Sequence, residues 1–249
     1  MTQRTAVITG GNRGIGLGLT EAFVKAGYAV VVGARSDTGI EARFPRKARF
    51  VSMDVRQEAG HHQLTDAART WTGRLDVYVN NAGFSEWRPI GLIDDAFFEA
   101  LMGTNLKGAF WGCKMAVAAM RNGGSIINVS SIAGKRGSAN NTLYCASKFG
   151  MNGLTQALAK EVGKSGIRVN AVCPVLIATE GLIQALEGEF SPAKGGPLEF
   201  VKKFAADNSA LGRLPTGGEV GEVCVFLASD AASAITGQCI NVDCGVFPQ

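Results

Sequence analysis

Short apolar runs rich in β-branched residues recur along the chain at 5–9, 28–34, 49–53, 75–80, 124–130, 166–172 and 237–242. Between most of them apolar residues return at helical spacing, near 15–26, 60–72, 95–121, 142–163 and 217–229. Runs such as Val30-Val31-Val32 and Ile126-Ile127-Asn128-Val129 are continuous instead of alternating. A strand with one wet face alternates; a continuous run fits a parallel strand covered by helices on both faces. Strand–helix alternation therefore predicts an α/β fold, a three-layer doubly wound parallel sheet of about seven strands with right-handed crossovers. No linker or repeat interrupts the pattern, so residues 1–249 are expected to form one domain.

Two stretches depart from it. Ser36 to Ala48 is short for a crossover helix and reads as a solvated turn carrying Arg43, Arg46 and Lys47. Residues 174–216 read as long and irregular around Ser191-Pro192-Ala193-Lys194-Gly195-Gly196-Pro197. Long loops in compact domains are usually lids or disordered. Phe190, Phe200 and Phe204 argue against disorder, so a substrate lid is expected at 186–205, with Gly188, Gly195 and Gly196 as hinges.

Composition adds little. Hydrophobic residues make up 46% of the chain and charged residues 18%, enough to bury a large core. The net charge of +4 is spread along the chain, and the basic stretch Arg43 to Arg49 has no nucleic-acid motif beside it. No apolar run is long enough to cross a bilayer, and the first apolar strand is too short for a signal peptide core. The six cysteines are scattered, without the paired spacing of a zinc site or disulfide framework. These features predict a cytoplasmic protein with reduced thiols, no metal, and neither nucleic acid nor membrane as partner.

Candidate chemistry begins at the first strand, which runs into Thr9-Gly10-Gly11-Asn12-Arg13-Gly14-Ile15-Gly16 and then a helix. Glycines let the backbone approach a ligand closely, and a helix N-terminus presents free N–H groups and a positive dipole end to a pyrophosphate. A dinucleotide fingerprint belongs at this position, between the first strand and first helix. Asn80-Asn81-Ala82-Gly83 ends the fourth strand, at the edge where parallel sheets bind ligands. An NAD enzyme of this architecture places Asp or Glu at the end of the second strand, whereas here that strand ends Val32-Gly33-Ala34-Arg35-Ser36. The missing carboxylate, with Arg35, Arg13 and Ser36 near a 2′-phosphate, predicts NADP over NAD; Asp37 weighs against it.

Tyr144 and Lys148, four residues apart at the start of a helix, share a face. A nearby ammonium favours phenolate and lowers the tyrosine pKa, so Tyr144 is a candidate acid/base for a carbonyl or alcohol. Ser131 ends the fifth strand at the same edge and could stabilise charge on the substrate oxygen. Asn105, flanked by Gly103 and Gly108, is expected to mark a break in the helical stretch 95–121, its side chain holding a water that relays protons toward Lys148.

With these motifs in this order, the sequence resembles the short-chain dehydrogenase/reductases in their compact single-domain branch, similar to 3-oxoacyl-carrier-protein reductases and related alcohol and sugar dehydrogenases. Asp54-Val55, Arg168-Val169-Asn170, Pro174 and Phe226 to Gln238 add to the match. The resemblance implies a catalytic set of Asn105, Ser131, Tyr144 and Lys148, and cofactor contacts at Gly10, Asn12, Arg13, Gly14, Ile15, Gly16, Arg35 and Ser36. It extends them to Asp54 at the adenine, Val55, Asn81 at the ribose, Ala82, Gly83, Tyr144, Lys148, Pro174, and Thr179 at the carboxamide. An NAD(P)-dependent enzyme for a small-molecule carbonyl or alcohol follows, as a homo-oligomer, most simply a tetramer. An NAD-dependent sugar or polyol dehydrogenase is the alternative, and a catalytically silent cofactor-binding regulator the more distant one. Two positions depart from the family pattern: Val175 where glycine is usual, and Cys244 within Asp243-Cys244-Gly245.

Overall fold

The computed structural model describes residues 3–194 and 196–248. Seven strands form one sheet in the order β3-β2-β1-β4-β5-β6-β7, every neighbouring pair parallel. They are β1 (Thr5–Thr9), β2 (Ala29–Ala34), β3 (Ala48–Ser52), β4 (Val77–Asn80), β5 (Gly124–Val129), β6 (Ile167–Pro174) and β7 (Cys239–Val242). The doubly wound sheet expected from the continuous apolar runs is present, and the register explains those runs. Val30 and Val32 point into one core with Leu19, Phe23, Val220 and Leu227, while Val31 points into the other with Leu64, Ala116 and Val162. Both faces are dry, so neither parity of the strand can be polar.

The first core lies under α1 (Gly14–Lys25) and α9 (Gly217–Ala228). The second lies under α3 (Glu58–Thr72), α5 (Gly108–Ala119) and α6 (Thr142–Val162). Helices α1 and α9 touch backbone to backbone: a Cβ at Gly18 would sit 2.4 Å from the Gly217 carbonyl carbon. A capping box of Thr216 and Glu219 starts α9.

Three stretches differ from the pattern reading. Residues 36–48 are not simply a turn but contain a one-turn helix, α2 (Ile40–Arg43), anchored by buried Ile40. The stretch 95–121 is α4 (Asp95–Met102), a π-helical turn (Gly103–Lys107) and α5, so the break expected around Asn105 is real. The 174–216 connection is less irregular than expected, holding α7 (Glu180–Leu186) and α8 (Pro197–Asn208). Thr179 caps α7, accepting from the Leu182 N–H at 3.2 Å, and Pro197 opens α8 where its missing N–H costs nothing. The 186–205 stretch thus runs from the end of α7 through a turn into α8; the expected hinge Gly195 lies outside the described residues. No helix among the described residues is long and apolar enough to cross a membrane.

Candidate active site

The loop from β1 to α1 turns through Gly10 and Gly14, both left-handed at φ 64° and 53°. Gly10 donates its N–H to Gly33 O at 2.7 Å. Gly16 approaches so closely that a Cβ would lie 1.9 Å from the Gly10 carbonyl oxygen. Arg13 is the N-cap of α1, without a side-chain capping bond and with no acidic residue in the first turn. The dipole end of α1 is therefore uncompensated, as an anion site requires. Asn12 and Thr38 tie the loop to the end of β2: Asn12 Nδ2 donates to Ser36 O at 2.9 Å, and Thr38 Oγ1 to Asn12 O at 2.9 Å. Thr38 was not visible as a cradle residue in the sequence.

Arg13, Arg35 and Ser36 are exposed at that end, and neither arginine makes an ion pair among the described residues. Asp37, the residue that weighed against a phosphate site, accepts instead from the N–H groups of Gly39 and Ile40 at 2.9 and 3.3 Å. Asp54 follows β3, and hydrogen bonds from Arg56, with Arg35 adding, hold its carboxyl below the usual range. The Val55 carbonyl is bonded by buried His61, whose other ring nitrogen meets the Tyr78 hydroxyl at 2.7 Å.

At the end of β4, Asn81 stands against the glycine loop. Its side-chain Nδ2 donates to the carbonyls of Thr9 and Gly10 at 2.9 and 3.2 Å, so the amide braces the glycine loop. Thr9 Oγ1 in turn accepts from the backbone N–H groups of Asn81 and Ala82. Thr179 packs against the other side of the loop, 3.6 Å from a Cβ placed on Gly14. Pro174 and buried Val175 lie at the end of β6. A cavity of about 720 Å³ opens beside Gly14, Leu17 and Thr179, bounded by Val201, Lys202 and Arg213; it does not reach Tyr144.

Ser131, Tyr144, Lys148 and Asn105 do converge. Ser131 follows β5, where its Oγ accepts from the Ala133 N–H at 3.1 Å and donates to Pro174 O at 3.5 Å. Tyr144 and Lys148 occupy successive turns of α6, with Lys148 Nζ 5.7 Å from the tyrosine ring centroid. Lys148 Nζ donates to Val129 O at 2.8 Å and would lie 3.8 Å from a Cβ on Gly83. That same Cβ would be 3.0 Å from Asn105 Oδ1, so Gly83 brings the two groups together by having no side chain.

Burial dominates the electrostatics of this pair. Burial pushes the Tyr144 phenol up to about 12, with the Ser131 hydroxyl acting the other way. Burial also brings the Lys148 ammonium down to about 8. Loss of hydration is the largest cause of both shifts.

The Asn105 side chain makes three hydrogen bonds. Its Oδ1 accepts from the Phe84 N–H at 3.0 Å, and its Nδ2 donates to Phe84 O at 2.9 Å and Ser147 Oγ at 3.3 Å. Two of these bonds hold the segment after β4, and the third ties it to α6. Sequence reading also missed the buried chain behind Lys148, in which Asn80 donates to Asn128 and Asn128 to Thr155, each at 2.9 Å. It links β4, β5 and α6; polar residues inside apolar strand runs were the available signal.

The family model described as enoyl-(acyl carrier protein) reductase matches residues 10–247. The galactitol 2-dehydrogenase of Agrobacterium fabrum is 35% identical, over 98% of each chain. The 3-oxoacyl-[acyl-carrier-protein] reductase of Chlamydia muridarum is 33% identical over 99% of this chain and 98% of its own. Among solved structures, an actinorhodin polyketide ketoreductase variant with NADPH superposes with a TM-score of 0.90 at 31% identity, covering 98% of this chain and 97% of that one.

Proposed function

The chain belongs to the short-chain dehydrogenase/reductase family and is an oxidoreductase of alcohols and carbonyls, and from that premise we propose an NADP-dependent enzyme with Tyr144 as acid/base. The convergence of Ser131, Tyr144, Lys148 and Asn105 beside the glycine loop carries the reading. The cradle fits a dinucleotide: left-handed glycines, an uncompensated α1 N-terminus and a Gly16 position that tolerates no Cβ. Gly10, Asn12 to Gly16, Asp54, Val55, Ala82, Gly83, Pro174 and Thr179 would hold it, with Asn81 acting through the loop it braces. Arg13, Arg35 and Ser36 would meet the 2′-phosphate, the support for NADP over NAD.

A bound nicotinamide supplies the hydride. Everything else falls to the chain. Ser131 Oγ holds the substrate oxygen, and the Tyr144 phenol, protonated at neutral pH, donates its proton to that oxygen during reduction. Lys148, fixed on Val129 O, keeps a positive charge beside the phenolate that remains. Asn105 positions the Phe84 segment from the π turn between α4 and α5. The galactitol relative favours a polyol as the second reading of the substrate.

The segment 186–205 serves as a substrate lid in this reading. Exposed Phe98, Phe110 and Phe149 on α4, α5 and α6 support a homo-oligomer, most simply a tetramer. Four buried free cysteines fit a reducing cytoplasm. Replacing Tyr144 with Phe removes one oxygen; turnover should drop at least about a hundredfold while cofactor binding persists. Turnover within about tenfold of the native protein would refute the assignment.

A further inference from the structure

Cys173 and Cys239 stand on neighbouring strands, β6 and the edge strand β7, which pairs with β6 alone among the described residues. The register sets Ala171 opposite Cys239 and Val172 opposite Ile240. Val172 and Ile240 face the core under α1 and α9, so Ala171, Cys173 and Cys239 all turn to the other side of the sheet. Cys173 is thus the next side chain along from the one opposite Cys239, and the two thiols hydrogen-bond each other. Cys173 is fully buried, whereas Cys239 is only partly so. Lys135, just after the turn that follows β5, donates its Nζ to Cys239 O at 2.7 Å and sets an ammonium beside both sulfurs.

The pair is polarised. A hydrogen bond from the Cys173 thiol brings the Cys239 thiol down, against its partial burial and with help from Lys135. The same hydrogen bond, together with burial, pushes the Cys173 thiol up. Burial pushes the Cys113, Cys224 and Cys244 thiols up as well. A partly accessible cysteine that favours its thiolate, with a second thiol beside it, is the arrangement that oxidation selects. Cys173 also leads inward to the reacting groups. The Ser130 hydroxyl, which donates to Lys148 O at 3.4 Å, reaches the Cys173 sulfur too, and Cys173 is close enough for its charge to act on Tyr144 and Lys148. The next residue, Pro174, accepts the Ser131 hydroxyl on its carbonyl oxygen at 3.5 Å.

We propose that Cys173 and Cys239 form a reversible disulfide on exposure to hydrogen peroxide, and that closing it unseats Ser131. The Cys239 thiolate attacks one oxygen of the peroxide: an S–O bond forms, the O–O bond breaks, and the departing hydroxide takes up a proton as water. Cys239 is then a neutral sulfenic acid and no longer holds the Cys173 proton, while Lys135 and Ser130 still favour a Cys173 thiolate. The Cys173 sulfur loses its proton and attacks the sulfenic sulfur; the S–S bond forms, the S–O bond breaks, and hydroxide leaves with that proton as water. The thiols have lost two electrons in all, and the peroxide has gained them. Positions so related on parallel strands lie about 4.8 Å apart across and about 6.6 Å along, or roughly 8 Å between Cα atoms. A disulfide spans at most about 6.8 Å. Closure therefore draws the end of β6 toward β7 and takes the Pro174 carbonyl from Ser131. The consequence for turnover rests on the oxidoreductase reading above; the bond itself does not.

The test treats the fully reduced native protein, freed of reductant, with a small excess of hydrogen peroxide. Free thiols are then alkylated and the protein is digested without reduction. The expected product is a peptide pair joined through Cys173 and Cys239, with the intact mass lower by two hydrogens. In Cys173→Ala the reaction should stop at the sulfenic acid, trapped on Cys239 by dimedone, and Cys239→Ser should give neither bridge nor adduct at these positions. Turnover of a carbonyl substrate with NADPH should fall at least about tenfold in the oxidised native protein, because small displacements of positioned groups are costly. Dithiothreitol should restore it, and both variants should keep their turnover under the same peroxide. A bridge between other cysteines, a Cys239 that stays open to alkylation, or a Cys173–Cys239 bridge with undiminished turnover would overturn the proposal. Reduced protein inactive on every carbonyl tried would sink the oxidoreductase reading instead, and the mapped bridge would still decide this one.

Discussion

Replacing Arg13 and Arg35 together with alanine should shift cofactor preference without touching the fold. Both side chains are exposed and free of ion pairs among the described residues, so their removal leaves no buried partner stranded. A charge-assisted bond to phosphate contributes about 1.5–3 kcal/mol when shielded. Exposure and salt reduce that toward about 1 kcal/mol for each arginine. Two such contacts give about 2 kcal/mol, or roughly a thirtyfold fall in kcat/KM with NADPH. NADH should be used at nearly the native rate, because it has no 2′-phosphate to lose. Melting temperature should hold, as surface substitutions away from special features cost within about 0.5 kcal/mol. Steady-state kinetics with both cofactors at low and high salt is the assay, and the preference of the native protein should shrink with salt. A ratio of NADPH to NADH efficiency that moves less than about threefold, or a parallel loss with both, would show that these arginines do not read the phosphate.

Gly16→Ala should lower cofactor affinity by more than tenfold in a fluorescence titration, since the new Cβ would lie 1.9 Å from Gly10 O and 2.6 Å from Asn81 Nδ2; near-native binding would contradict the cradle. Buried His61, its pKa lowered by desolvation, folds as the neutral ring, so its contribution is full above the unfolded value of about 6.5 and is lost as pH falls through it toward the lower folded value. Denaturant titrations from pH 7.5 to 5.5 should show that loss, and the same slope in His61→Asn would rule it out. Light scattering at micromolar concentration should give a mass of four chains, and a single-chain mass would refute the assembly.

Much of this was written in the chain. Val30-Val31-Val32 announced a strand buried on both faces, and Gly103, Asn105 and Gly108 announced a disturbed helix, because these signals are local. The helices α7 and α8 were hidden by the Pro and Gly residues between them, although Thr179 and Pro197 are ordinary helix starters once the register is known. Partner choice was less legible. Asn105 and Asn81 were found as site residues, yet nothing in the sequence says which backbone groups their amides bind. Nor does spacing reveal that burial would outweigh charge in setting the Tyr144 and Lys148 titrations, since hydration depends on what the rest of the chain covers.

The backbone contact between Gly18 and Gly217 has a bearing on how the molecule is made. The helix whose first turn forms the phosphate cradle is braced by a helix near the other end of the chain. Synthesis proceeds from the N-terminus, so the cradle emerges well before the helix that braces it. Closing so distant a contact is slow, and until then one face of β1 and β2 is covered by α1 without α9. A nascent chain cut short before α9 would therefore bind no dinucleotide and would present apolar strand to other chains.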